Sequence, residues 1–285
     1  MGESHHGCAL YGVRVRHPLP PTLPRLVATD LDGTLLDAAG RVSERTREVL
    51  ARLDELGVPT VFVTGRPLRW MEHLWVEVGD VGLAVCSNGA VTYDVARHAV
   101  RAVRAVPASV VLEVAERVKA AVPGARVALE RLDGLAHEPG FLPDTERHRA
   151  VAVAPLPELL AGPEVVKVLV RHLDADPETF WRAVEQACGG IVTTTWSSVG
   201  ALVEISAAGV TKASTLELLC GDLGVGPAEV VAFGDMPNDV PLLSWAGTAY
   251  AMANAHPATR AVADRTAGHH DEDGVAAALA ELYGL

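Results

Sequence analysis

The sequence has no long apolar run and no recognisable targeting segment. No stretch approaches the roughly 18 apolar residues that a transmembrane helix needs. The beginning of the chain lacks the apolar centre of a secretory signal, and prolines close it before Arg25. We therefore expect a flexible lead-in over residues 1–24 and no association with membranes.

Cysteine and positive charge are both scarce. The cysteines at 8, 86, 188 and 220 are scattered without a Cys-x-x-Cys pair, which argues against a disulfide framework or a zinc site and favours the cytoplasm. Lys and Arg number 24 against 36 Asp and Glu, so the formal net charge is −12. Because phosphate backbones and anionic membrane surfaces attract positive charge, we expect neither nucleic acid nor membrane as a partner.

Apolar residues are abundant, at 49% of 285 residues, which is enough for a sizeable core. Short apolar runs alternate with helical patterns over 25–90 and again over 208–285, and this alternation predicts a parallel sheet covered by helices. Between them, residues 91–207 show the paired strands and helices of an α+β domain. The sequence thus predicts an α/β fold, with a doubly wound, Rossmann-like core interrupted by an inserted α+β domain.

Two acidic residues close the first apolar run, LVATDLDGT. Because residues i and i+2 of a strand face the same way, Asp30 and Asp32 should leave the carboxyl end of that strand together. Ligands of open α/β sheets bind outside this end. Two close carboxylates resist ionising beside each other, so a compensating charge is expected. A simple turn closed by aspartate side chains is the alternative.

A second apolar run, VVAFGDMPND, also ends in acid, at Asp235 and Asp239. If the two strands are parallel, Asp30, Asp32 and Asp235 can surround one cation. Oxygen ligands of this kind suit Mg²⁺, whose charge would neutralise the crowded carboxylates. The alternative is a helix N-terminus, where acidic residues are favourable without any metal.

Two further residues lie where an anion could bind. Thr64 ends the second apolar run, and its hydroxyl and the following N–H groups could hold a phosphate oxygen near a helix start. Lys212 begins a helix, where a cation is unfavourable unless an anion lies nearby. An ordinary turn or N-cap at Thr64 and a solvated surface lysine are the alternatives.

In this order, DLDGT (30–34), VTGR (63–66), Lys212 and GDMPND (234–239) resemble the four motifs of the haloacid dehalogenase-like hydrolases. SNGA (87–90) and AMANAHPATRAVAD (251–264) are similar to the Cof-type phosphatases, subclass IIB, which carry a large α+β cap of the C2B type after the third strand. The resemblance runs from about Arg25 to the C-terminus. Met236 and Pro237 depart from it, since a glycine often follows the Gly-Asp pair in such enzymes.

The resemblance implies a role for each matching residue. Asp30 would be the nucleophile, and Asp32 the general acid and base whose backbone carbonyl also meets the metal. The implied metal residues are Asp30, Asp32, Asp235 and Asp239, with Mg²⁺ as cofactor. The implied phosphate or substrate residues are Thr64, Gly65, Arg66, Asn88, Lys212 and Asn238.

On family grounds we expect a Mg²⁺-dependent phosphatase, monomeric or homodimeric, that hydrolyses small phosphorylated metabolites, sugar phosphates first, through an aspartyl-phosphate. A phosphosugar mutase of the same fold is the nearest alternative; a receiver-like signalling module and a binding protein without turnover are more distant ones. In the inserted domain, Glu130, Arg131, His137 and Glu138 are candidate substrate contacts or, alternatively, surface loop residues. His269, His270 and Asp271 are expected in a solvated loop before the last helix.

Overall fold

The computed structural model describes residue 20 and residues 22–142, 150–196 and 200–285. Most of the predicted lead-in, residues 1–24, lies outside these ranges.

The strands are β1 (Leu26–Thr29), β2 (Thr60–Val63), β3 (Leu83–Cys86), β4 (Val91–Asp94), β5 (Ala99–Val103), β6 (Arg126–Arg131), β7 (Gly134–His137), β8 (Ala152–Val153), β9 (Val165–Arg171), β10 (Val192–Thr195), β11 (Leu202–Ala207), β12 (Val230–Gly234), β13 (Thr248–Ala251) and β14 (Arg265–Thr266). The helices are α1 (Glu44–Leu56), α2 (Glu72–Glu77), α3 (Ala108–Ala121), α4 (Leu156–Leu159), α5 (Pro177–Cys188), α6 (Lys212–Leu223), α7 (Val240–Trp245), α8 (Pro257–Arg260) and α9 (Gly274–Tyr283).

The chain forms two compact units. Of the described residues, the first contains those up to Arg66, together with Trp70–Ala102 and Lys212–Leu285. The second contains Pro67–Arg69 and Val103–Thr211. The chain therefore enters and leaves the second unit in the middle of the first, as in an inserted domain.

An eight-stranded sheet organises the first unit, in the order β14-β13-β12-β1-β2-β3-β4-β5. From β14 to β3 neighbouring strands are parallel, and β4 then runs antiparallel to β3. β1 lies between β2 and β12, so the ends of these three strands meet at one edge of the sheet. This is the α/β architecture that the sequence predicts.

Both faces of the central strands are buried, as expected for a parallel sheet between helices. On one face, Leu26 of β1 and Ala232 of β12 pack with Leu216 of α6 and Leu242 of α7. α1 begins at Ser43, whose side chain accepts from the Thr46 N–H, and ends at Gly57 in the left-handed conformation. Both ends of α1 are therefore capped.

The second unit is built on a six-stranded sheet, in the order β10-β11-β9-β6-β7-β8. Its pairs are antiparallel except β7 with β8. α3 and α5 cover one face through an apolar cluster that includes Val114, Val127, Val168 and Phe180. Since Val127 and Leu129 point towards these helices, Glu130 lies on the opposite face of the sheet.

The observed division differs from the predicted boundary at residue 91. β4 and β5 extend the eight-stranded sheet of the first unit, although the sequence analysis assigned them to the insertion. The reason is that β4 turns back on β3 and pairs with it antiparallel, which breaks the parallel pattern without leaving the sheet. At the other boundary, the units change between Thr211 and Lys212, close to the predicted residue 207.

None of the helices in the described ranges combines the length and the apolar character that crossing a bilayer requires.

Candidate active site

The first acidic stretch lies at the carboxyl end of β1, where an irregular turn, Leu31–Leu35, carries the chain away from the sheet. Asp30 precedes this turn in an extended conformation and is buried, with 5% of its surface exposed. Gly33 has a φ of +73°, and a Cβ at this position would lie 2.3 Å from Oδ2 of Asp235. Glycine is required here for its backbone conformation and for its lack of a side chain. The turn thereby brings the end of β1 against Asp235.

Lys212 begins α6 and points into the same edge of the sheet. Its Nζ donates to Oδ1 of Asp30 at 2.6 Å and to Oδ1 of Asp239 at 2.7 Å. Burial opposes the charge of the ammonium, but the carboxylates of Asp239 and Asp30 outweigh it and hold the pKa of Lys212 above its usual range. The alternative of a solvated surface lysine is wrong, because only 2% of this residue is exposed.

The second acidic stretch follows β12, which pairs with β1. Oδ1 of Asp235 accepts from the hydroxyl of Thr34 at 3.2 Å. Oδ2 of the fully buried Asp239 accepts from the backbone N–H groups of Asp235 and Met236, both at 3.1 Å. Asp239 therefore fixes the turn after β12 with one oxygen and pairs with Lys212 through the other.

These carboxylates form a group that can hold a divalent cation. Side-chain oxygens of Asp30, Asp235 and Asp239 all lie within 4.8 Å of one another. Burial raises the pKa of Asp30 well above its usual value, with Lys212 opposing and the two other carboxylates adding to the rise. Burial and then Asp239 raise the pKa of Asp235 to about 6. Such under-neutralised oxygens fit a hard divalent cation.

A buried polar atom beside this group supports the same fit. The amide of Asn238 donates to Oδ1 of Asn88 at 3.3 Å. Its own Oδ1 is buried and accepts no hydrogen bond from any residue in the described ranges. Since buried polar atoms are normally paired, this oxygen is available to a ligand.

Asp32 is separate from the buried acidic group. Its carboxylate accepts from Nε of Arg66 at 2.8 Å and from Nη2 at 2.5 Å, a bidentate pair. The side chain of Asp32 is 58% exposed, whereas that of Arg66 is 17% exposed. Alternation along an extended strand does not continue past Asp30, because the chain enters its turn there. The two aspartates consequently face different surroundings.

Thr64, Gly65 and Asn88 lie in the adjoining loops after β2 and β3. The hydroxyl of Thr64 accepts from the Arg66 N–H at 3.0 Å, which is the turn considered as an alternative. The Thr64 carbonyl accepts from the N–H of Asn88, whose φ of +55° is left-handed. A Cβ on Gly65 would lie 3.1 Å from Oδ1 of Asn88. These loops therefore pack closely at the same edge as Asp30.

In the second unit, the proposed loop residues lie on strands instead. Glu130, Arg131 and His137 are buried on β6 and β7, so the alternative of an exposed surface loop is wrong for these three. Glu130 accepts from Nε and Nη2 of Arg69 at 2.7 and 3.0 Å. Glu138 accepts from Lys119 at 2.5 Å. Contact of these residues with a substrate stays a prediction.

Three residues whose role the sequence did not indicate hold the turn after β1. Nδ2 of Asn254 donates to the Gly33 carbonyl at 2.7 Å. Nδ1 of His270 donates to the Leu36 carbonyl at 2.8 Å, and Oδ1 of Asp271 accepts from the Ala38 N–H at 2.7 Å. The expectation of a solvated loop at 269–271 holds for Asp271, whose side chain is 43% exposed, and is wrong for His270, whose side chain is 15% exposed. The only available signal was the position of Asn254 within the AMANA stretch.

The fold and the candidate site define a class of protein. It is an α/β protein with an inserted domain, in which three aspartates and a buried lysine meet at the carboxyl ends of β1 and β12. A sequence profile described as haloacid dehalogenase-like hydrolase matches residues 27–279. The chain therefore belongs to the haloacid dehalogenase-like hydrolases. The Cof-type assignment, the predicted fold class and the prediction of a hydrolase are confirmed.

Individual relatives align over almost their whole length. The phosphoglycolate phosphatase of Halorubrum lacusprofundi is 32% identical over 90% of this chain and 96% of its own length. The 5-amino-6-(5-phospho-D-ribitylamino)uracil phosphatase YitU of Bacillus subtilis is 28% identical over 93% of this chain and 99% of its own. A crystal structure of a haloacid dehalogenase-like hydrolase from Bacteroides thetaiotaomicron superimposes with a TM-score of 0.73 at 25% identity, covering 90% of this chain and 99% of that one.

Proposed function

We propose that this chain is a Mg²⁺-dependent phosphatase that hydrolyses small phosphorylated metabolites, sugar phosphates first, through an aspartyl-phosphate on Asp30. One observation carries the proposal: Lys212 contacts Asp30 and Asp239 directly, and oxygens of Asp30, Asp235 and Asp239 lie within 4.8 Å of one another. A structural ion pair needs one acid for one base. This group has three acids for one base, which suits a site completed by a cation and a phosphate.

Asp235 and Asp239, together with Asp30 and the backbone carbonyl of Asp32, are the groups that we propose hold Mg²⁺. When bound, the ion would neutralise the carboxylates and the charge of the phosphoryl group. The ammonium of Lys212 and the hydroxyl of Thr64 are proposed to bind phosphoryl oxygens, with Gly65, Asn88 and Asn238 nearby. The buried ammonium is suited to this role because its charge is retained at neutral pH.

The proposed chemistry has two steps. A carboxylate oxygen of Asp30 forms a bond to phosphorus while the ester P–O bond breaks, and Asp32 gives its proton to the leaving oxygen. Asp32 then takes a proton from water as the water oxygen attacks phosphorus, which releases phosphate and restores Asp30. In the present arrangement Asp32 is paired with Arg66, so it must exchange this partner for the leaving oxygen. Arg66 is thereby a proposed contact for the substrate side of the reaction.

The relatives support the class of substrate and not its identity. Those described above are named as phosphatases of phosphoglycolate and of a phosphorylated ribitylaminouracil, two different small molecules. Sugar phosphates therefore stay a prediction, as do the cytoplasmic location and a monomeric or homodimeric state.

A substrate screen tests the proposal. Purified protein is incubated with about a hundred phosphorylated metabolites, with Mg²⁺ or with excess chelator, and both free phosphate and the organic product are measured. We expect phosphate and the matching alcohol from a subset of compounds, only with Mg²⁺. Release that persists in chelator would contradict the metal requirement. Rearranged sugar phosphates without free phosphate would instead indicate the mutase, and no turnover of any compound would refute the phosphatase.

A further inference from the structure

The segment that follows β13 is attached to the end of β12 on both sides of Asn254. The N–H of Met252 donates to the Gly234 carbonyl at 3.1 Å, and the N–H of His256 donates to the Asp235 carbonyl at 2.8 Å. Asn254 lies between these two attachments. Its side-chain amide is consequently held at a fixed place relative to the second acidic stretch.

The same amide reaches the turn after β1. Nδ2 of Asn254 donates to the Gly33 carbonyl at 2.7 Å, and its Oδ1 accepts from the His270 N–H at 3.2 Å. Both ends of the amide are therefore used, which fixes its orientation. The peptide that it holds, between Gly33 and Thr34, lies beside Asp235: the Thr34 hydroxyl donates to Asp235, and a Cβ on Gly33 would clash with the Asp235 carboxylate.

Two neighbouring side chains continue this attachment along the turn. His270 donates to the Leu36 carbonyl and Asp271 accepts from the Ala38 N–H. Asn254, His270 and Asp271 are here called the turn clamp. The clamp holds the chain at three points after Asp30, and none of its side chains belongs to the group of carboxylates.

We propose that Asn254 is a positioning residue that sets the spacing between the carboxylates after β1 and those after β12. This inference rests on the proposed function, because its catalytic consequence is the alignment of Asp30 with the phosphoryl group. Buried carboxylates on neighbouring strand ends repel one another, and the neutral tie through Asn254 adds to Lys212 in holding the two chain segments close. A displacement of about 1 Å of a reacting group can lower a rate by roughly 100-fold.

Asn254→Asp is the sharpest variant, because it keeps the shape and the acceptor for His270 but removes the donor to Gly33. Arg260→Ala is the matched control: Nη2 of Arg260 donates to the Ala253 carbonyl at 2.9 Å in the same segment, without reaching the turn. Asp271→Ala is a second clamp variant at a half-exposed site, in case Asn254→Asp does not fold. Hydrolysis of para-nitrophenyl phosphate with Mg²⁺ and amide hydrogen exchange of peptides spanning Leu31–Ala38 are measured for each.

For Asn254→Asp we expect kcat to fall by about 10- to 100-fold while KM changes by less than about threefold, since alignment is lost and binding is not. Exchange over Leu31–Ala38 should become at least about tenfold faster. Asp271→Ala should shift both quantities in the same direction by a smaller factor. Arg260→Ala should leave both unchanged.

Three results would overturn the inference: exchange in the clamp variants equal to that of Arg260→Ala, faster exchange with unchanged kcat, or a loss confined to KM. The exchange measurement requires no turnover. It therefore decides whether the clamp orders the turn even if the wild-type protein hydrolyses no phosphate ester, and in that case it is the proposed function that fails.

Discussion

Two buried aspartates of the first unit, Asp30 and Asp94, have opposite surroundings. Asp94 ends β4 and accepts from the guanidinium groups of Arg97 at 2.8 Å and Arg101 at 2.5 Å, and from the Arg97 N–H at 2.9 Å. Burial alone would raise the pKa of Asp94, but the bonds from Arg101 and Arg97 outweigh it and lower that pKa. At Asp30 the result is reversed, and the pKa is raised.

The difference lies in how many charges of each sign meet. Around Asp94, two guanidinium groups neutralise one carboxylate, so the group is complete as it stands. Around Asp30, one ammonium contacts two carboxylates and a third lies within reach. A fully neutralised buried charge indicates a structural role, whereas an under-neutralised one at a strand end indicates a place for a ligand. Four experiments test this difference between Asp30 and Asp94.

The largest effect is expected for activity. Asp30→Asn should lower phosphate release by at least about 1000-fold, because the amide cannot attack phosphorus. Asp94→Asn should retain activity under conditions where it is folded. Initial rates with a substrate from the screen measure both, and Asp54→Asn on the exposed side of α1 is the control. Equal rates for Asp30→Asn and Asp54→Asn would remove Asp30 from the chemistry.

The second effect concerns stability, and here the larger loss is expected for Asp94→Asn and the smaller one for Asp30→Asn. Asp94→Asn should lower the free energy of unfolding by about 1–3 kcal/mol, since two arginines lose a buried partner but remain partly exposed to water. Asp30→Asn should cost little or add stability in metal-free buffer, because it removes a crowded charge while Asp239 still pairs with Lys212. Urea unfolding of the three proteins decides this. A larger loss for Asp30→Asn than for Asp94→Asn would contradict the contrast.

A third experiment adds Mg²⁺, whose positive charge can neutralise the carboxylates around Asp30. In chelator-treated protein, millimolar Mg²⁺ should stabilise the native state by about 1–2 kcal/mol, because an ion that binds only the folded chain shifts unfolding by mass action. The gain should be the same for Asp94→Asn and smaller for Asp235→Asn. Thermal unfolding with and without Mg²⁺ measures it. An identical gain in Asp235→Asn would place the ion elsewhere.

The smallest effect is a pH dependence of the Asp94 contribution. Because the pKa of this carboxyl is lower in the folded state than in the unfolded one, its contribution to stability is present above the unfolded pKa and is lost as the pH falls through the folded value. The difference in unfolding free energy between wild type and Asp94→Asn should therefore be constant near neutrality. Below about pH 4, the ordinary value for aspartate, it should shrink. A difference that grows on acidification would show the sign to be wrong.

The central sheet was predictable because each of its central strands has two signals in the sequence, an apolar run and the polar residues that end it. β1, β2 and β12 are short, wholly buried runs, and polar residues of the candidate site follow each of them. Their meeting at one edge then follows from parallel pairing alone. The place of Lys212 was indicated less firmly: a cation at a helix start is unfavourable without an anion nearby, but the same position also fits a solvated surface lysine.

Other features depend on contacts that local sequence does not show. β4 and β5 look like the beginning of an α+β domain, because a strand that turns back antiparallel has the same pattern whichever sheet it joins. Asp32 was expected beside Asp30, but the turn at Leu31–Leu35 separates their side chains. Asn254, His270 and Asp271 lie in loops without periodicity, and only the folded chain shows which carbonyl or N–H each one meets.

The pairing of β1 with β12 also has a consequence for folding during synthesis. Thr34 and Asp235, which share a hydrogen bond, are 201 positions apart, and Lys212 is 182 positions from Asp30. Contacts of such long range form slowly, because the entropy cost of closing a large loop comes before the contacts can stabilise it. A nascent chain that ends after β3 contains Asp30 but not yet Lys212, Asp235 or Asp239. The candidate site is therefore complete only when the last quarter of the chain, from Lys212 onwards, has been synthesised and has packed beside β1.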